Sequence, residues 1–425
     1  MIGLIMFVTI LLLLMLGFPV AFTFAGVGVV FGVLTEGVEL FSLMPLRIMS
    51  VMQNTILMAV PLFIFMGIVL QKTKLAEQLL EAMGELFGNI RGGLAISTIL
   101  VGSLLAASTG VVGASVIAMG VISLPVMLKH NYKKTLATGV ICASGTLGQI
   151  VPPSIVLIIL ADVLGIAVGD LFKGAIIPSL VLIGLYVIYV LVVSYSEKTT
   201  SPILRKRLTF NKYLGVFKAI LPPMLLIIVV LGSIFMGIAT PTESASIGSV
   251  GALVLAIIYR RFNWKMLKTA SLETIKVSSM VFAILIGATV FSMVFTYTGG
   301  DVLVEEFIMN LPAKEMNFII MAMLLIFILG FFIDFVEISL IIVPILYPIA
   351  LNLGIDMTWF AILIAINLQT SFLTPPFGFS LFYLKGVAPK IIKTTDIYKG
   401  VMPFIAIQIC VLISIIIFPK WYGFS

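Results

Sequence analysis

Gly145-Thr-Leu-Gly-Gln-Ile-Val-Pro-Pro-Ser154 interrupts an otherwise apolar run, and a similar stretch, Asn367-Leu-Gln-Thr-Ser-Phe-Leu-Thr-Pro-Pro-Phe-Gly378, interrupts another. Tandem prolines remove two backbone donors and free the carbonyls that precede them. Hydrocarbon offers those carbonyls no partner, so each break must face protein or a polar cavity. Ser144, Gly145, Thr146, Gln149, Pro152 and Ser154 surround the first break; Asn367, Gln369, Thr370, Thr374 and Pro375 surround the second. Carbonyl, hydroxyl and amide oxygens at helix ends suit a hard cation such as sodium. The half-helix starts beyond Pro153 and Pro376 offer positive dipole ends to an anion. Any single Ser or Thr here has a plainer reading, a bond back to its own helix. Only the recurrence of the cluster at two breaks favours a site.

The recurrence extends beyond the breaks. Gly148–Ser154 and Ser371–Phe377 stand 223 residues apart, as do Pro125 and Pro348; Asp170–Gly174 and Asp396–Gly400 stand 226 apart. Gly17-Phe18-Pro19 and Ala239-Thr240-Pro241 stand 222 apart. Landmarks kept in one order at nearly one offset imply an internal repeat, residues 1–196 and 219–425, joined by a basic cytoplasmic linker at 197–218.

Composition sets the solvent. Of 425 residues 61% are hydrophobic and 10% charged, with mean hydropathy +1.26, against about 25% charged in ordinary soluble domains. The chain reads as an all-α polytopic protein of the lipid bilayer, with room for about a dozen segments of roughly 20 residues. A soluble enzyme, a disordered chain and a nucleic-acid binder are excluded. Of the 25 Lys and Arg residues, 21 fall in five clusters that one topology places on a single side. These are Lys72–Arg91, Lys129–Lys134, Lys198–Lys218, Arg260–Lys276 and Lys385–Lys399. The opposite loops carry Glu36, Glu39, Asp162, Asp170, Asp301, Glu305, Glu306, Glu315 and Asp356. The basic side is then cytoplasmic. The first stretch, Met1–Leu34, is either one tilted helix or two short pieces broken at Gly17-Phe18-Pro19; it lacks the basic start of a cleaved leader.

With this orientation, the segment at about 91–129 begins and ends on the cytoplasmic side, with arms too short to cross twice, and reads as a re-entrant helical hairpin. The segment at about 313–356 reads as a second hairpin entering from the other side. Broken helices are expected at about 135–165 and 358–387. Inverted repeats with broken helices are a construction of secondary transporters. An ion channel is the weaker alternative.

Charges inside the membrane are few and are functional candidates by default. Asp334 and Glu337 lie three residues apart near the second hairpin's tip at Gly330–Asp334. Asp334 suits either sodium or the N-cap of the following arm. Glu337 and Glu243 are evenly divided between a site and a helix's first turn. The first tip offers only neutral oxygens, from Ser103, Ser108, Thr109 and Ser115. Arg47 on the outer side either draws in an anion or anchors at the interface. His130, Cys142 and Cys410 assemble no metal cluster or disulfide framework. An intramembrane hydrolase is disfavoured, because the repeat-related counterparts of Asp334 and Glu337 are Val111 and Ala114. Leu75–Asn89, with Glu77, Glu81 and Glu85 opposite Leu79, Leu80 and Met83, reads as an amphipathic interfacial helix.

Ala239-Thr-Pro-Thr-Glu-Ser-Ala245, Phe331-Phe-Ile-Asp-Phe-Val-Glu-Ile338 and the two break motifs together resemble the large membrane subunit (M, DctM-like) of tripartite ATP-independent periplasmic (TRAP) transporters. The resemblance runs over essentially the whole chain. It implies a sodium-driven importer of an organic anion such as a carboxylate in the bacterial inner membrane, neither an enzyme nor dependent on ATP or an organic cofactor. It implies two partners, a periplasmic substrate-binding protein (P) and a small four-helix membrane subunit (Q), the latter expected as a separate chain. It also implies an elevator motion of hairpins and broken helices against a scaffold. One sodium site would draw on Ser103, Ser108, Thr109, Gly145, Thr146, Gln149 and Pro152, the other on Gly330, Asp334, Glu337, Thr370, Thr374 and Pro375. Substrate would meet Ser144, Gln149, Ser154, Asn367, Gln369 and Arg47. Gln149 departs from the aliphatic residue associated with dicarboxylate and sialic-acid members and resembles another branch of the family.

Overall fold

A computed structural model describes residues 2–73, 75–197, 210–309 and 314–424; among them there are helices and connecting turns but no strand. The first half runs α1 (Ile2–Met15), α2 (Val20–Thr35), α3 (Met44–Met52), α4 (Ala59–Lys72), α5 (Leu75–Leu86), α6 (Gly93–Thr109), α7 (Val112–Lys129), α8 (Lys134–Thr146), α9 (Ile155–Val163) and α10 (Val168–Ser196). The second half opens with α11 (Phe210–Phe235), α12 (Pro241–Ile258), α13 (Trp264–Tyr297), α14 (Gly300–Met309) and α15 (Lys314–Leu329). Next, α16 (Phe335–Glu337) passes through a π-helical turn (Ile338–Ile342) into α17 (Val343–Asn352). The chain ends with α18 (Met357–Leu373), α19 (Phe379–Val387) and α20 (Thr394–Ile417). Every element of the first half has a counterpart about 223 residues on, α13 standing for α3 and α4 together.

Local chemistry explains the divisions. Pro19, extended at φ −62° and ψ 130°, caps α2 and makes the N-terminal stretch two helices instead of one. Asn263 caps α13 by accepting from Met266 N–H at 2.7 Å, and Asp356 caps α18 by accepting from Thr358 and Trp359 N–H. The amphipathic segment forms α5 as expected, with Leu79 and Leu80 buried. Helix α11 begins at Phe210, within the segment expected as the basic linker, and 198–209 lie outside the described residues.

Among the described residues, six helices are long and apolar enough to cross a bilayer, or seven if α4 and α5 are joined across their 65° bend. Five further apolar stretches of described residues run 10–17 residues, among them Ile220–Phe235 within the longer α11. The dozen segments allowed by length are therefore not a dozen full crossings, because broken and re-entrant helices use half-lengths. Exposed Phe22, Leu180, Val250 and Ile328 mark the outward apolar surface, which suits lipid contact.

Both expected hairpins form. Leu94 N–H donates to Tyr132 Oη at 3.3 Å near the base of the first, Thr98 Oγ1 meets Met127 Sδ at 3.9 Å midway, and the hydroxyls of Thr109 and Ser115 meet at 2.8 Å across its tip. Gly110 turns the chain at φ +60°, a left-handed conformation that favours glycine. By length α7 could cross a membrane. Its start, Val112, is however buried at 1% exposure beside the equally buried Thr109, so the tip ends inside protein.

The halves are inverted with respect to α20. Near the start of α8, Thr138 Oγ1 donates to Asp396 O at 3.3 Å, close to the start of α20. Near the start of α18, Trp359 Nε1 donates to Ile415 O at 3.1 Å, close to the end of α20. Nineteen residues of helix separate those contacts, roughly 28 Å at 1.5 Å per residue, close to the thickness of a bilayer's hydrocarbon core. The repeat-related helices α8 and α18 thus enter from opposite faces.

Candidate functional site

Each broken helix packs first on its own hairpin and then on the other. Helix α8 lies against α6 and α7, and α18 against α15. Beyond the breaks, α9 packs on the second hairpin's returning arm, while α19 packs on α7. Gly113 sits against the Tyr383 ring, so the tip of the first hairpin is covered by the second half's broken helix. Residues 136–146 of α8 and 359–373 of α18 are buried on every side, as the freed backbone at a break requires. The Pro152–Pro153 and Pro375–Pro376 bonds are both cis.

Contact between tip and break is close enough to exclude a methyl group. A Cβ on Gly148 would lie 2.7 Å from Ala106 O, and one on Gly330 would overlap the Ser371 side chain. Gly148 and Ser371 are repeat-related, so the first half puts the glycine on the broken helix and the second puts it on the hairpin.

Most neutral candidates take their plainer role. Ser103, Ser144, Thr146, Thr370 and Thr374 donate to helical carbonyls three or four residues back, at 2.7–3.1 Å. Ser103 lies short of the tip and faces an apolar cavity instead. The side chain of Ser108 is outside the described set. Gly145 is pressed against Val116. Hydroxyls already serve several freed carbonyls: Ser154 donates to Gln149 O at 2.8 Å, Ser179 to Ile150 O at 3.1 Å, and Ser380 to Phe372 O at 2.8 Å. Asn367 Nδ2 donates to Met323 O at 2.6 Å and ties α18 to α15. Arg47 is exposed on α3, which packs chiefly on α13.

Gln149 differs from these. It is fully buried beside Pro152, yet neither its amide nitrogen nor its amide oxygen has a partner among the described residues. A buried amide left so is costly, about 1–3 kcal/mol per orphaned group, and marks a place for a polar guest.

At the second tip, Asp334 and Glu337 form a reciprocal capping box. Asp334 Oδ1 accepts from Phe335 N–H at 2.6 Å, and Glu337 Oε2 accepts from Asp334 N–H at 2.7 Å. The capping role is therefore real, and it holds two carboxylates together at the tip. Glu243 likewise caps α12 with Thr240, and it is exposed.

Sequence reasoning missed three residues. Tyr186 Oη on α10 accepts from Gln408 Nε2 on α20 at 2.7 Å and stands 3.5 Å from Gln369 Nε2 on α18. At the 226-residue offset of α10 and α20, Tyr186 corresponds to Leu412 and not to Gln408, so the repeat carries no signal that pairs them. Ser339, fully buried with no partner among the described residues, lies in the π-helical turn, a distortion that recurs at functional sites.

Comparisons with known proteins agree with this geometry. Residues 7–421 match the family described as "Tripartite ATP-independent periplasmic transporter, DctM component". The C4-dicarboxylate TRAP transporter large permease protein DctM of Pseudomonas aeruginosa is 29% identical over 89% of this chain and 90% of its own. The sialic acid TRAP transporter large permease protein SiaM of Vibrio cholerae is 27% identical over 96% and 95%. Among solved structures, the Alcanivorax borkumensis YdaH transporter shares the fold, with TM-score 0.62 over 90% of each chain at 15% identity. With the family match spanning nearly all of its 425 residues, this multi-pass membrane chain belongs to the DctM component family of tripartite ATP-independent periplasmic transporters.

Proposed function

We propose that the chain is the large subunit of a sodium-driven importer of an organic anion, working by an elevator motion in the bacterial inner membrane. The observation that carries the reading is the pair of buried breaks, each pressed against a hairpin tip and each entering from an opposite face. Such a pair gives two ion sites of unequal chemistry. The first is built from the neutral oxygens of Thr109, Ser115, Thr146 and Gln149. The second is built around Asp334, Glu337, Thr370 and Thr374. Sodium bound at both tips would seat the hairpins against α8 and α18 and offset part of the anion's charge. Gln149, buried without a partner, is the side chain best placed to meet cargo beside the first break. The half-helix starts of α9 and α19 add their dipoles to the same end.

Two partners complete the system, a periplasmic binding protein that delivers the cargo and a small four-helix membrane subunit that enlarges the scaffold. Dicarboxylate and sialic acid are the cargoes in the names of two relatives; the class shared by both, a carboxylate, is the one proposed here. The test is uptake by proteoliposomes holding both membrane subunits, supplied with binding protein and its carboxylate, under an imposed sodium gradient. Uptake that needs the gradient, and a weakened sodium response in Asp334→Ala, are expected. Uptake indifferent to sodium would overturn the coupling, and an unaltered sodium response in Asp334→Ala would remove that residue from it.

A further inference from the structure

Helix α11 turns Leu221, Leu225, Ile228 and Val229 outward, each at least 38% exposed. On a membrane chain an apolar face of this kind suits lipid tails. Met224 belongs to the same face, at 42% exposure, but it also walls a cavity of about 310 Å³. Its other walls include Ile227 of α11, Leu79 of α5, Leu104 and Ala107 of α6, and Pro152 at the first break. Its size is at the lower end for ligand pockets.

The lining decides what can enter. Among the described residues, Ser103 is the sole lining residue with a polar side chain, and its hydroxyl is already given to Leu100 O at 2.9 Å. Water needs two to four polar partners to be held, and the walls supply fewer. An anionic cargo would lose its hydration with no charged side chain among the described lining residues to replace it. For the same reason a free fatty acid would find nothing to hold its carboxylate. Met224 is the exposed residue of the described lining, and an apolar phase outside it would match the walls.

We propose that the cavity is a binding site for one acyl tail of a bilayer phospholipid, which enters beside Met224 and lies between α5, α6 and α11 with its inner part against Pro152. The head group stays at the membrane surface outside. A tail held there touches the hairpin arm, the break and α11 at once, so any sliding of α6 past α11 must displace it. The site itself requires only that the chain be in a bilayer; the mechanical link to transport rests on the elevator reading above.

The experiment uses the full chain in vesicles of phosphatidylethanolamine and phosphatidylglycerol that contain a phosphatidylethanolamine with a diazirine midway along one tail. Illumination followed by peptide mass spectrometry should find adducts within 100–107, where Val101 and Ala107 are only 2% and 3% exposed. Met224→Trp, which blocks the mouth from a lipid-facing position that tolerates bulk, should cut those adducts at least fivefold. Adducts at the exposed α12 positions Ile247, Val250 and Val254 should be unchanged. Met224→Ala, which widens the mouth, should raise labelling of 100–107. No adducts in that segment, or labelling indifferent to both variants, would overturn the site. These readouts involve no sodium and no cargo, so they fail or succeed separately from the import reading. Sodium-driven uptake by Met224→Trp should differ at least twofold from the unaltered chain; an unchanged rate would overturn the mechanical link.

Discussion

Tyr186→Phe removes one oxygen from the interior, and the surrounding contacts set its cost. Tyr186 Oη accepts from Gln408 Nε2 at 2.7 Å and stands 3.5 Å from Gln369 Nε2; all three side chains are fully buried. Interhelical hydrogen bonds in membrane proteins average only about 0.6 kcal/mol. Here, however, the loss strands the Gln408 amide, whose oxygen already lacks a partner among the described residues. Stranding a buried donor costs about 1–3 kcal/mol, so about 2 kcal/mol is expected. Gln408→Leu leaves the Tyr186 hydroxyl with only the long contact to Gln369, and about 1 kcal/mol is expected for it on the same scale. The double variant removes both partners and replaces them with packed carbon. It should cost about 1 kcal/mol instead of the additive 3, a coupling within the range seen for contacting residues. Unfolding of the purified chain in mixed micelles, titrated with dodecyl sulfate, measures all three. If the double variant equals the sum of the singles within about 0.5 kcal/mol, the Tyr186–Gln408 bond does not hold α10 to α20.

Three further outcomes follow from the same coordinates. Gly330→Ala should cost about 1–3 kcal/mol of stability by overpacking against Ser371, and Ser371→Gly in the same chain should recover at least half of it in the same unfolding assay. Glu337→Gln keeps an oxygen for the Asp334 N–H and should leave stability unchanged, whereas Glu337→Ala should lose about 1 kcal/mol with the capping box; equal losses would mean that charge, not capping, is what Glu337 supplies to the fold. Asn54 Nδ2 donates to Asp162 Oδ1 at 2.6 Å, bridging the loop after α3 to the end of α9. Replacing both with cysteine and joining them with a short cleavable thiol cross-linker should stop uptake, and cleavage should restore it; full uptake by the cross-linked protein would show that α9 does not slide past α3 and α4.

The architecture was legible where the membrane forbids alternatives. Tandem prolines that follow a run of glycine, hydroxyl and amide residues mark a protected break, whereas Pro222–Pro223, without such a run, stay inside α11; clustered lysines can only lie outside the hydrocarbon. Those two constraints gave the hairpins, the broken helices and the inversion. Individual ligands were far less legible. Thr146, Thr370 and Thr374 have a helical carbonyl three or four residues back whatever the tertiary structure, and each uses it. Asp334 reads from sequence first as a sodium ligand and second as an N-cap, and its contacts at the tip are those of the cap. The Tyr186, Gln369 and Gln408 cluster was hidden for another reason. Each stands alone in an apolar helix, and only the closing together of α10, α18 and α20 makes them neighbours.

The crossed packing of the two halves has a consequence for how the chain is made. The tip of the first hairpin, at Gly113, is covered by Tyr383, which leaves the ribosome 270 residues later. During that interval the hairpin has its own α8 beside it but lacks α19. The first half therefore cannot mature alone, and truncation before α19 should leave a hairpin with its tip uncovered at membrane depth. Quality-control proteases of the membrane would meet that tip as a signal of incomplete synthesis. The internal repeat thus ties its two halves together, since the first hairpin's tip is not covered until α19 of the second half has been inserted.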